Sequence, residues 1–187
     1  MSKISLTEGT KFLCFDVESN WLHGKAFAVG AVLMEASGKI LDEFEGRCPI
    51  EGEVHPWVKE NVLPSLGSLR VTHTNAKAMR RAFWAWYLTA KTNADYVLVD
   101  NGYPVEARFL IDCQEDSLAR RGSDHPFPLL DLSTLLLQAG YLPLTNREQF
   151  VKKEIAGKTV MKHHPKWDAW VSTLVAIKAL KKTGRLV

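Results

Sequence analysis

"FLCFDVESNW", residues 12 to 21, is an apolar run that ends in two acids, Asp16 and Glu18. A run of this kind reads as a strand buried on both faces, as in the interior of an α/β sheet. Successive strand side chains alternate faces, so Asp16 and Glu18 point to the same side. They also fall at the strand's C-terminal end, the edge at which open α/β sheets bind ligands. Two like charges held close raise each other's pKa and lose hydration, at a cost that a divalent cation offsets. Taken alone, the pair reads more readily as the start of an exposed loop, because D-x-E is short and common.

Outward from this strand, "AFAVGAVLM" (26 to 34) and "KILDEFEGRC" (39 to 48) read as two more strands joined by the turn "EASG". Between 74 and 91, Ala76, Met79, Phe83, Trp86, Tyr87 and Ala90 recur at three and four, the stripe of an amphipathic helix whose aromatics belong to the core, with Thr74 as its cap. "YVLV" (96 to 99) is another buried strand, 104 to 113 reads as helix, and 128 to 140 as a short strand running into a helix that ends at Gly140. A last helix begins near Pro165, with Trp170, Leu174 and Ile177 on one side. Three strands followed by alternation imply an α/β fold, a mixed sheet with helices on its faces.

At 187 residues the chain suits one domain, 1–187, with its core over about 11–182. Three widely spaced cysteines make neither a closed disulfide framework nor a C-x-x-C metal site, which fits a reducing compartment. The N-terminus lacks an apolar signal core, and no apolar run approaches the roughly 20 residues of a membrane span. A soluble, cytoplasmic protein is the expectation. Residues 145 to 187 hold ten Lys or Arg against three acids, while residues 1 to 144 hold fourteen against eighteen. The basic charge is therefore concentrated at the C-terminal end, as a solvated helix face or as a surface that follows phosphates.

Two further acid sets complement the first. "DNGYPVEARFL" puts Asp100 at the end of the strand 96 to 99 and Glu106 at the start of the next helix. "HHPKWDAW" puts Asp168 in the first turn of the last helix and His163 in the loop ahead of it. An acid at a helix N-terminus is favoured by capping alone, but capping does not account for the histidine.

With these segments in hand, the chain resembles the DEDD 3′-to-5′ exonucleases of the histidine type, the family that includes ribonuclease T, oligoribonuclease and proofreading exonuclease domains. "FLCFDVES" is similar to their first motif, "DNGYPVEARFL" to the second, and "HHPKWDAW" to the third, H-x-x-x-x-D, with His163 as the histidine. The resemblance implies an RNase H-like fold, with a mixed five-stranded sheet flanked by helices. It also implies hydrolysis of terminal phosphodiesters with two Mg²⁺ or Mn²⁺ ions. Asp16 would bridge the ions, Glu18 and Asp168 would hold the first, Glu106 the second, and His163 would take the proton from the attacking water. Oxygen-only ligands suit these hard cations.

The chain departs from the pattern in two places. Glu106 stands where the family has Asp, so its extra methylene has to be absorbed locally, and Asp100 is the alternative carboxylate. Ser19, Asn20 and Trp21 replace the usual residues after D-x-E. Ser19, Trp21, Asp100, Asn101 and Lys166 are candidates for substrate contact, Trp21 by stacking on the terminal base. Lys152, Lys153, Lys158 and Lys162 flank the third motif and would guide a single strand's 3′ end. The implied partner is single-stranded nucleic acid, RNA or DNA, with a homodimer as one assembly open to such a chain. A nucleic-acid-binding module that kept the fold and lost the chemistry is the competing reading, ahead of an endonuclease of the same fold.

Overall fold

The computed structural model describes residues 6–124 and 128–186. β1 (Lys11–Ser19), β2 (Ala26–Glu35) and β3 (Ile40–Arg47) form an antiparallel meander. β4 (Tyr96–Val99) and β5 (Leu129–Asp131) add in parallel on the other side of β1, giving one mixed sheet in the order β3-β2-β1-β4-β5. The central position of β1 explains its near-continuous apolar run, since both of its faces are covered.

The helices divide between those faces. α2 (Ala76–Asn93) and α3 (Ala107–Glu115) pack Phe83, Tyr87 and Phe109 on Leu13, Phe15 and Val17 of β1. α5 (Leu132–Gln138) and α7 (Pro165–Lys182) pack Leu132, Val171 and Val175 on Phe12 and Cys14. By the same alternation Asp16 and Glu18 belong to the α7 face, which is what brings the third motif to the first. Cys14, Cys48 and Cys113 are all buried and free.

Local details differ from the sequence reading. The cap of α2 is Asn75, whose Oδ1 accepts the Ala78 N–H at 2.9 Å, rather than Thr74. α7 is not a one-sided amphipathic helix. Trp167, Val171, Val175 and Ile177 are buried and Trp170 and Leu174 only partly so, because the helix lies across the sheet with most of its circumference covered. A short helix, α1 (Pro56–Asn61), went unrecognised, being too short to show a period. The described residues also form α4 (Leu118–Arg121) and α6 (Arg147–Phe150), and among them no helix is long and apolar enough to cross a membrane.

One glycine fixes where α7 meets the sheet. Gly30 of β2 pairs with Asp16 across the β1–β2 ladder. A Cβ built on Gly30 would lie 2.1 Å from the Lys166 backbone N and 2.5 Å from the Pro165 carbonyl carbon. The first turn of α7 therefore rests directly on the β2 backbone, beside the carboxylate of Asp16. Gly30→Ala is expected to destabilise the fold by about 2–3 kcal/mol, since backbone rather than a flexible side chain must yield. Chemical denaturation of the variant measures this, and an unchanged midpoint would contradict so close an approach.

Candidate active site

β1 delivers Asp16 and Glu18 to a cleft of about 410 Å³ that is also lined by Asp100, Asn101, Arg147, Lys162, His163 and Asp168. Glu18 is 9 % exposed and Glu106 6 %, so burial of like charge is severe. Ligating atoms of Glu18, His163 and Asp168 all lie within 4.8 Å of one another, a spacing that a single cation could span.

The electrostatics follow from crowding. Burial, together with the carboxylates of Asp168, Glu18 and Glu106, pushes the Asp16 pKa well above the ordinary range. Glu106 and Asp168 are each pushed up to about 8, in both cases chiefly by burial. Burial also raises Glu18, although its neighbour His163 opposes the shift. Four acids that all resist ionisation are a poor arrangement for stability, and hard oxygen donors packed together are what Mg²⁺ or Mn²⁺ requires. Glu18, His163 and Asp168 offer the ligand spacing of a divalent-cation site and Asp16 lines the same cleft, whereas Glu106 is near enough to raise the Asp16 pKa but is not among the residues lining it.

Glu106 arrives by an unusual route. A kinked segment, Gly102–Glu106, leads out of β4, with Tyr103 in an extended conformation, and α3 begins only at Ala107. The Val17 N–H, between the two acids of β1, favours the ionised form of Glu106. Asp100 is committed elsewhere. Its Oδ1 accepts from Arg147 Nε at 2.9 Å and Nη2 at 2.6 Å. The same guanidinium donates to the carbonyls of Pro143 and Thr145 and to Ser133 Oγ. Every N–H of Arg147 is thereby used, and segment 143–147 is stapled to the end of β4. Sequence inspection missed Arg147, because its partner stands 47 positions away.

The third motif separates its two histidines. His163 has φ 61°, in the left-handed region, and its Nδ1 lies 3.7 Å from Glu18 Oε1. The Glu18 carboxylate raises its pKa. His164 is buried at the start of α7, 3.6 Å from Glu45 Oε1, and burial lowers its pKa. Only His163 opens onto the cleft.

The remaining candidates have found partners of their own. Ser19 Oγ donates to the Trp21 carbonyl at 2.6 Å, and Asn101 Oδ1 accepts from Ser133 Oγ at 3.3 Å. Trp21 stacks on His55 with ring centroids 4.4 Å apart and meets Trp57 edge-on at 5.6 Å. Lys166 lies 3.9 Å from Glu43 and 3.8 Å from Glu45, so its charge is met by β3. Trp57 was also overlooked, and the one signal for it is "HPW", a proline placed to start a helix just after a capping residue.

Comparison with solved structures carries this geometry further. The chain aligns with the exonuclease I–ssDNA complex of E. coli in its zinc-bound form at TM-score 0.62 and 13 % identity, covering 93 % of this chain and 40 % of that one. It aligns with the nuclease domain of 3′hExo, a DEDDh family member bound to rAMP, at TM-score 0.52 and 13 % identity, covering 95 % of this chain and 94 % of that one. The fold is that of the DEDDh exonucleases. The chain also aligns with exonuclease X in complex with 5′-overhanging duplex DNA at TM-score 0.54 and 11 % identity, covering 92 % of this chain and 93 % of that one. The chain spans about two fifths of the length of exonuclease I. No family model and no curated protein sequence matches it.

Proposed function

We propose that the chain is a metal-dependent 3′-to-5′ exonuclease that releases nucleoside monophosphates from single-stranded nucleic acid. The observation that carries this reading is the convergence of Glu18, Asp168 and His163 in the cleft at the end of β1, with Asp16 beside them. Asp16, Glu18 and Asp168 would hold the ions at the end of β1, with Glu106 as a further carboxylate ligand. Two Mg²⁺ or Mn²⁺ ions, when bound, supply the positive charge that a phosphodiester needs to accept an oxygen nucleophile and release an oxygen leaving group.

His163 takes the proton from the attacking water. Nδ1 faces the Glu18 carboxylate at 3.7 Å, so the negative charge there favours the ring proton on that side without a hydrogen bond to fix it. Nε2 is left as the acceptor. Lys162 lines the cleft, and Lys152, Lys153 and Lys158 are exposed on the segment before it. They attract backbone phosphates without reading sequence. The ssDNA, duplex DNA and rAMP held by the neighbouring structures support a nucleic-acid substrate.

The test is to offer the purified protein 5′-labelled single-stranded RNA and DNA with Mn²⁺ or Mg²⁺. A ladder shortening one nucleotide at a time from the 3′ end is expected, and it is expected to vanish with chelator. Binding of either strand without any ladder would replace this reading with that of a binding module.

A further inference from the structure

Resting on the exonuclease reading above, we infer that Trp57 is a positioning residue for His163, and that Asn20, Trp21 and His55 form the frame that holds Trp57 in place. A general base has to stand within about 2.6–3.2 Å of the proton it takes. His163 is poorly restrained for that task by its own surroundings. Its side chain is 40 % exposed, and the 3.7 Å separation from Glu18 is too long to fix the ring as a hydrogen bond does. What meets the ring is Trp57, at a centroid distance of 5.4 Å and an interplanar angle of 84°. Aromatic pairs favour such edge contacts.

Trp57 is itself held from behind. Its backbone N–H donates to His55 Nδ1 at 3.3 Å, and its ring meets Trp21, which stacks on His55. Asn20 ties the two segments together: its Nδ2 donates to the Glu53 carbonyl and its Oδ1 accepts the His55 N–H, both at 2.8 Å. Trp21 has φ 73°, a conformation held by the Ser19 hydroxyl on its carbonyl. Residues 19 to 21, at which the chain departs from the motif it resembles, thus form a bracket that begins next to Glu18 and returns to the site through α1. Trp57 is 40 % exposed, so its burial contributes little to the core.

The competing role for an exposed tryptophan here is a stacking platform for the nucleobase, and steady-state kinetics separate the two. Positioning acts on kcat, whereas a platform for substrate acts on KM. With Mn²⁺ and a short single-stranded oligonucleotide, Trp57→Ala is expected to lower kcat on the order of 10- to 100-fold, the scale of a small misplacement of a catalytic group. KM should stay within about twofold, and Trp57→Phe should recover most of the rate by restoring an aromatic edge. Asn20→Ala, which keeps every ring, should lower kcat in the same direction and shift the His163 imidazole resonances in NMR spectra of the metal-free protein. A raised KM at unchanged kcat in Trp57→Ala, or unmoved His163 resonances in Asn20→Ala, would overturn the inference. Should the unmodified protein release no nucleotide, the exonuclease reading fails, and the resonances of Asn20→Ala still decide whether the bracket holds His163.

Discussion

Asp16→Asn is expected to abolish nucleotide release and at the same time to raise the melting temperature of the metal-free protein at pH 8. Asparagine is nearly isosteric with aspartate, so β1 and its pairing are preserved while one charge leaves the cluster. Activity should fall on the order of 10³-fold or more, equivalent to about 4 kcal/mol of barrier, because a charge assigned to the ions is gone. Stability moves the other way for a reason that can be signed. Glu106 and Asp168 are pushed up to about 8 and Asp16 is raised as well. Between the ordinary carboxylate range and about pH 8, the folded chain therefore holds protons that the unfolded chain has released. Stability contributed by these groups is present below about pH 4 and is lost as pH rises towards 8. Removing one member of the set should relieve part of that loss at pH 8, read as a rise in melting temperature, and leave pH 4 almost unchanged. Mn²⁺ at about 100 times its Kd should add about 2.7 kcal/mol to the unmodified protein and little to the variant. Retained turnover, or a variant less stable than the parent at pH 8, would sink the assignment.

How far the site could be read from sequence depended on the range of each interaction. The alternation that puts Asp16 and Glu18 on one face of β1 is local, and so is the spacing of His163 to Asp168. Both were legible, along with the strands and the mixed sheet they compose. The preference for His163 over His164 came from spacing alone, and the structure supplies the physical difference: His164 is buried against Glu45, while His163 faces the cleft. The missing parts are long-range or short in extent. Gly30 looked like any strand glycine until α7 was found to occupy the space of its absent Cβ. Trp57 sits on a helix of six residues, less than two turns, which no periodicity can reveal. The Lys166 charge pointed to phosphate until β3 supplied Glu43 and Glu45 beside it, acids 123 and 121 positions earlier in the chain. Asp100 was ambiguous because the sequence carries no mark of the arginine that would claim it.

That arginine decides the last expectation, which concerns the second acid motif. Glu106→Gln should abolish activity, Asp100→Asn should only weaken it, and Arg147→Ala should resemble Asp100→Asn. Glu106 is almost fully buried among the other carboxylates, and the Val17 N–H of β1 favours its ionised form. Asp100 instead shares a guanidinium whose remaining N–H groups hold Ser133 and the carbonyls of Pro143 and Thr145. Taking away the Asp100 charge leaves Arg147, 13 % exposed, without its countercharge. The cost is about 1–3 kcal/mol, carried by the wall of the cleft that contains Leu144, Thr145 and Asn146. Such a loss should raise KM and lower the melting temperature by a few °C while most of kcat survives. Glu106→Asp is the sharpest of the set. An aspartate there ends ~1.5 Å short of the position the Glu106 carboxylate takes beside β1, one carbon–carbon bond. It should therefore lose most of its turnover instead of gaining from the shorter acid that the family uses. All four variants are to be compared at saturating Mn²⁺, with melting curves measured alongside. A dead Asp100→Asn beside a Glu106→Gln near the parent's rate would move the second ligand from the start of α3 to the end of β4, and would make the Arg147 ion pair something that metal binding has to break.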